Sequence, residues 1–91
     1  MPAGVRGLLD KGPLLSACDV MLDLIFYLES LPPPGGDVRA REALFSPGGA
    51  SVNFAVAASR LGQPSAVVGK VARDAAGLTI LDFLGREGVD T

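Results

Sequence analysis

The stretch Ser46–Gly62, SPGGASVNFAVAASRLG, decides how this chain is read. Two adjacent glycines, Gly48 and Gly49, run directly into apolar residues at helical spacing: Val52, Ala55 and Val56, and again Phe54, Ala58 and Leu61. That spacing predicts a helix with a broad apolar face, stopped by Gly62 and Pro64. The unpaired amides and positive dipole end at such a helix start favour oxygen-rich ligands. A plain glycine turn before a helix has the same sequence, so the glycines alone leave both readings open. Asn53, in the first turn, could reach a ligand held over the glycines or could satisfy neighbouring backbone.

Upstream, SACDVMLDLIFYLES alternates from Val20 onward, with Val20, Leu22, Leu24, Phe26 and Leu28 on one face and Asp19, Met21, Asp23, Ile25, Tyr27 and Glu29 on the other. This predicts a half-buried strand or two. LPPPGGD (Leu31–Asp37) can continue no regular structure and reads as a turn. VRAREALF then alternates weakly, as a strand returning antiparallel to the first. Downstream of the helix, SAVVGKV (Ser65–Val71) is the β-branched run of a parallel strand covered on both faces. Asp74 can cap a second helix with Leu78, Leu81 and Leu84 on one side, closed near Gly88. The order β, β, α, β, α is that of an α/β protein. Two helices are too few to cover a parallel sheet on both sides, so the sheet is unfinished and an N-terminal piece of a larger domain is expected.

Composition narrows the function classes. The chain has 91 residues, 48% of them hydrophobic and 20% charged, with a mean hydropathy of +0.38. That allows one small, unusually apolar domain. Eight basic residues scattered singly and a net charge of -2 give no footprint for nucleic acid or an anionic membrane. A single cysteine and no histidine leave no internal disulfide and no zinc site, which suits a cytoplasmic location. The N-terminal MPAGVRGLLDKGPLL is broken by Asp10, Lys11 and Pro13, so no secretory signal is expected, and the apolar run Leu24–Leu28 is far short of a membrane span.

Familiar phosphate motifs are absent. GGASVN lacks the G-x-G-x-x-G of dinucleotide-binding folds, and PSAVVGKV carries Pro64 and Val71 where a P-loop needs glycine and a hydroxyl. Asp23 is either an exposed residue of a polar strand face or a carboxylate that accepts hydrogen bonds from hydroxyls. Cys18 is expected to be a small buried residue, since no histidine is present to activate it. Lys70 and Arg73 read as solvated ends.

Taken together, DVMLD, LPPPGGD, GGASVNFAVAASRLG and VGKVARDAAG stand in the order and spacing of four motifs, and the chain resembles the N-terminal part of the ribokinase/PfkB family of carbohydrate and nucleoside kinases. The resemblance runs from about Leu15 to the end, with residues 1–14 left as a leader of uncertain order. It implies a ribokinase-like α/β fold, a Rossmann-like sheet with a β lid, present as an incomplete N-terminal fragment. Residues 15–91 would be the N-terminal part of the kinase domain, with lid strands at about 24–45. In relatives of this kind such a lid covers the substrate and often forms a dimer contact.

The resemblance further implies ATP-dependent phosphorylation of a sugar hydroxyl, with ATP and Mg2+ as cofactors and a small-molecule sugar as partner. Asp23, at the end of the first strand, would hydrogen-bond sugar hydroxyls, and Gly48, Gly49 and Asn53 would line the same pocket. No catalytic or metal residue falls in this chain: the base, the anion hole and the ATP pocket belong to a later G-A-G-D-type segment of the family. The chain alone is therefore expected to be inactive. The other function class is a short non-catalytic protein that keeps the lid for binding or dimerisation. Three positions depart from the pattern: Cys18 and Ala72 where glycines are usual, and Ser51 where Gly, Ala or Pro is common. An alanine at a positive-φ site would be strained by about 1 kcal/mol or more. Ala50 makes GGASVN resemble the fructokinase-type GGAPAN, which points to a hexose or keto-sugar.

Overall fold

The computed structural model describes residues 12–91. The elements are β1 (Leu14–Ser16), β2 (Met21–Tyr27), β3 (Glu42–Gly48), α1 (Ala50–Arg60), β4 (Ser65–Val67) and α2 (Ala75–Arg86). Of the expected leader, residues 1–11 lie outside the described residues, and Leu14 opens β1. The alternating run from Val20 thus forms a single strand, β2, and a separate short strand, β1, precedes it. The chain leaves β1 at Ser16, crosses through Ala17–Val20, and enters β2 as part of a different sheet.

The first sheet is parallel. β1 pairs with β4 in the register Leu14↔Ser65, Leu15↔Ala66 and Ser16↔Val67. On the far side of β4, Ala66 forms a parallel bridge to Asp90, with Val67 N–H donating to the Asp90 carbonyl at 2.9 Å and Asp90 N–H to that of Ser65 at 3.0 Å. Ser65 and Val67 are buried on the one face of β4, where Ser65 Oγ donates to the Ala55 carbonyl of α1, while Ala66 on the opposite face is only half-buried, so the expected cover on both faces is incomplete. The core gathers beneath this sheet from Val52, Ala55 and Val56 of α1, Val67 of β4, Ile80 and Leu84 of α2, and Val89. Phe54 and Leu61, expected on the apolar face of α1, are exposed; Ser51 is buried in their place. On α2 the buried stripe is Gly77, Ile80 and Leu84, while Leu78 and Leu81 face outward. Leucine content alone misplaced that face, because a three-residue spacing fits two adjacent stripes.

Both helices end alike. In α1, Gly62 N–H donates to the Ser59 carbonyl and Gln63 N–H to that of Ala58; in α2, Gly88 N–H donates to Gly85 and Val89 N–H to Leu84. These are Schellman closures, with Gly62 (φ 89°) and Gly88 (φ 75°) in the left-handed position that favours glycine. Asp74 caps α2 by accepting from Gly77 N–H at 2.8 Å.

The second sheet is an antiparallel arm of β2 and β3, running from Met21↔Gly48 to Tyr27↔Glu42. Its link holds a turn in which Gly36 N–H donates to the Pro33 carbonyl at 2.9 Å with Gly35 at φ 73°, the type II arrangement of Pro then Gly. The arm is not half-buried as its alternation suggests: Leu24, Phe26 and Phe45 on one face and Ile25, Tyr27 and Leu44 on the other are all exposed. Among the described residues, no helix is long and apolar enough to cross a membrane.

Candidate functional site

The site is built where the arm joins the core. Gly48 ends β3, Gly49 caps α1, and Asp23 stands on β2 opposite Ser46. Because same-face neighbours across a ladder are two residues apart, Asp23 also reaches Gly48 diagonally. The contact is tight: a Cβ on Gly48 would lie 2.7 Å from Asp23 Oδ2. The bare backbone of Gly48 is what lets the carboxylate lie there. Asp23 is the third residue of β2, not the end of the first strand, since the parallel strand has already closed at Ser16.

Gly49 meets a stricter demand. It adopts φ 90° and ψ 162°, a region essentially confined to glycine, and a Cβ there would sit 2.5 Å from the Asp19 carbonyl oxygen. That carbonyl accepts from Ser51 N–H at 3.0 Å, engaging an amide of the first turn of α1. The Gly49 carbonyl in turn accepts from Asn53 N–H at 3.0 Å.

Asn53 is exposed and lines an open cleft of about 420 Å³ together with Ser46, Pro47, Arg60 and Phe83. Asp23 is not among the cleft's lining residues, and no hydrogen bond joins it to Asn53 among the described residues. The structure therefore brings Asp23 and Gly48 together directly and sets Asn53 one turn further on, with Ser46 as the shared neighbour: it pairs with Asp23 and borders the cleft. Sequence reasoning did not single out Ser46, because the long Leu28–Arg41 connection leaves the strand register unfixed. At one wall of the cleft, Arg60 grips Glu87 through both its Nε and an NH2 group. Their mutual hydrogen bond and charge hold the Arg60 guanidinium above its ordinary pKa and the Glu87 carboxyl below the usual carboxylate range.

The three departures resolve differently. Cys18 is exposed, contrary to the expected burial. Ala72 is unstrained, since no non-glycine residue among those described has positive φ; its carbonyl instead requires Gly77, where a Cβ would come within 1.9 Å of that oxygen. Ser51 is wholly buried, and its Oγ accepts hydrogen bonds from both Ser16 Oγ and the Cys18 amide. Among the described residues, no group of three His, Cys, Asp or Glu side chains could hold a metal ion.

The chain shares this architecture with known proteins. Bacillus subtilis ribokinase is 40% identical over 70 residues, which is 77% of this chain and 24% of that protein. The structure of Arabidopsis thaliana ribokinase complexed with ribose and ATP superposes with a TM-score of 0.79 at 29% identity, covering 88% of this chain and 26% of the other. Halothermothrix orenii fructokinase gives 0.66 at 29% identity, covering 86% and 28%. The fold is ribokinase-like, and the chain spans about a quarter of the length of these relatives. Residues 14–91 match the model of the pfkB family carbohydrate kinases throughout, and the chain belongs to that family.

Proposed function

We propose that residues 15–91 supply the sugar-binding half and the lid of a cytoplasmic kinase that transfers a phosphoryl group from ATP to a sugar hydroxyl. The observation that carries this reading is the Asp23 carboxylate lying against the bare backbone of Gly48 at the foot of an arm. A carboxylate there accepts hydrogen bonds from sugar hydroxyls, and charge-assisted bonds of this kind are among the stronger polar contacts. Gly48 and Gly49 let the sugar approach the start of α1, where the helix dipole favours oxygen atoms. The Asn53 amide offers both donor and acceptor from the next turn.

The outer part of the β2–β3 arm, about residues 24–45, acts as the lid, and its closure keeps water from competing with the sugar hydroxyl. Its exposed apolar faces also suit a homodimer contact. The residues described here do not fit ATP or Mg2+: they contain neither a glycine-rich phosphate loop nor a metal cluster. The base and the phosphate-binding groups would come from chain beyond these 91 residues. GGASVN favours a hexose or keto-sugar over ribose.

The test pairs the intact mass of the native gene product in its source cells with an ATP-dependent screen of sugars. The expected outcome is a mass several times 9.3 kDa, phosphorylation of a sugar, and a KM raised roughly ten- to a hundredfold by Asp23→Ala. A native product near 9.3 kDa without phosphotransfer would replace this reading with the non-catalytic binding protein.

A further inference from the structure

We propose that Ser51 is a positioning residue of the sugar site, its buried side chain fixing the Ala17–Val20 crossing from which Asp23 is carried over Gly48. The proposal rests on the sugar-binding reading of Asp23. Ser51 lies in the first turn of α1 and is 0% exposed. Its Oγ accepts from Ser16 Oγ at 3.0 Å and from the Cys18 amide, and its own N–H donates to the Asp19 carbonyl at 3.0 Å. A hydroxyl oxygen has two lone pairs, and both are engaged. One residue thus holds the last residue of β1 and two residues of the crossing.

The geometry reaches the site from both ends of the arm. β2 begins at Met21, two residues after Asp19. β3 returns through Gly48 to Gly49, which is so close to the Asp19 carbonyl that a Cβ could not fit. Both roots of the arm are therefore registered on the Asp19 carbonyl; the Ser51 backbone amide holds that carbonyl directly, and the Ser51 side chain adds the hold on the Cys18 amide one residue earlier, so the Asp23–Gly48 contact inherits a register that the hydroxyl helps to set. Two positions at which the sequence departs from the family pattern, Cys18 and Ser51, are in direct hydrogen-bonded contact. A residue of only general structural value would behave differently: losing its hydroxyl would weaken the fold as a whole, as losing the Ser16 hydroxyl would.

The experiment compares Ser51→Ala with Ser16→Ala, because each deletes a buried hydroxyl but only the first leaves the Cys18 amide without its acceptor. Amide hydrogen exchange on the full-length native protein needs no sugar. Ser51→Ala is expected to speed exchange at Cys18 about tenfold or more over Ser16→Ala while leaving the Leu14 and Val67 amides of the parallel sheet as in the parent. Equal exchange in the two variants, or faster exchange throughout that sheet, overturns the proposal. Titration of that full-length protein with D-fructose and D-ribose, with Asp23→Asn in parallel, reads the consequence. Ser51→Ala should weaken sugar binding roughly three- to tenfold, and Ser51→Thr, which keeps the oxygen, should recover it. If Asp23→Asn weakens binding and Ser51→Ala does not, the positioning role falls while the sugar reading stands; if Asp23→Asn has no effect, the sugar reading falls.

Discussion

Gly48 and Gly49 stand side by side yet exclude a side chain for different reasons, so substituting them should separate function from stability. At Gly48 the obstruction is the tip of the Asp23 side chain, which can rotate away. Gly48→Ala should therefore cost less than about 1 kcal/mol of stability while displacing the carboxylate and weakening sugar binding. At Gly49 the obstruction is the Asp19 backbone, and the dihedrals themselves exclude other residues. Gly49→Ala should destabilise the protein by about 2–4 kcal/mol, read as a fall in the urea or thermal midpoint. Equal losses at the two positions would refute the distinction. The sequence showed two glycines before a helix; their unequal roles depend on Asp19 of the crossing and Asp23 of the arm, which meet them only in the folded chain.

Between elements, the ends of α1 and α2 are tied together. Arg60 pairs with Glu87 at the C-cap of α2, and Ser59 Oγ donates to the Glu87 carbonyl at 2.6 Å. Arg60 lowers the folded-state pKa of Glu87, so the folded protein holds the ionised form more firmly than the unfolded chain does. The resulting stability is present at pH above the ordinary carboxylate range and is lost as the pH falls through the lowered folded value. The thermal midpoint of Glu87→Gln should lie below that of the parent at neutral pH, and the gap should close on acidification. A gap that persists at acid pH would show that Glu87 acts through packing instead. Because the pair is exposed to solvent, added salt should narrow the gap as well. The pair joins residues 27 apart in sequence, and no local pattern announces it.

For the molecule as a whole, the notable quantity is apolar surface left uncovered. Leu24 is 56% exposed, Phe26 55% and Phe45 64%, and the register places all three on one face of the arm. A two-stranded sheet is marginal by itself in water, and exposed apolar strands invite association. Sedimentation of the 91-residue chain should show species heavier than 9.3 kDa, and Phe45→Lys should shift the distribution toward monomer. A chain that stays monomeric at high concentration would argue against a dimer contact through the arm.

The sequence by itself determined the α/β class, both helices and their glycine closures, the parallel character of the Ser65 strand, and the family, because each rests on local periodicity, turn chemistry or motif spacing. It also marked Asp23, Gly48, Gly49 and Asn53 as candidates. Only the tertiary structure decided that a core strand at Leu14–Ser16 precedes the alternating segment and that this segment lies wholly in the arm, that Cys18 is exposed and Ala72 relaxed, that Ser46 stands opposite Asp23, and that Ser51 is buried against Ser16 and Cys18. Those outcomes depend on strand register and on contacts between distant segments. A long connection such as Leu28–Arg41 leaves the register to be set by side chains that meet only after folding.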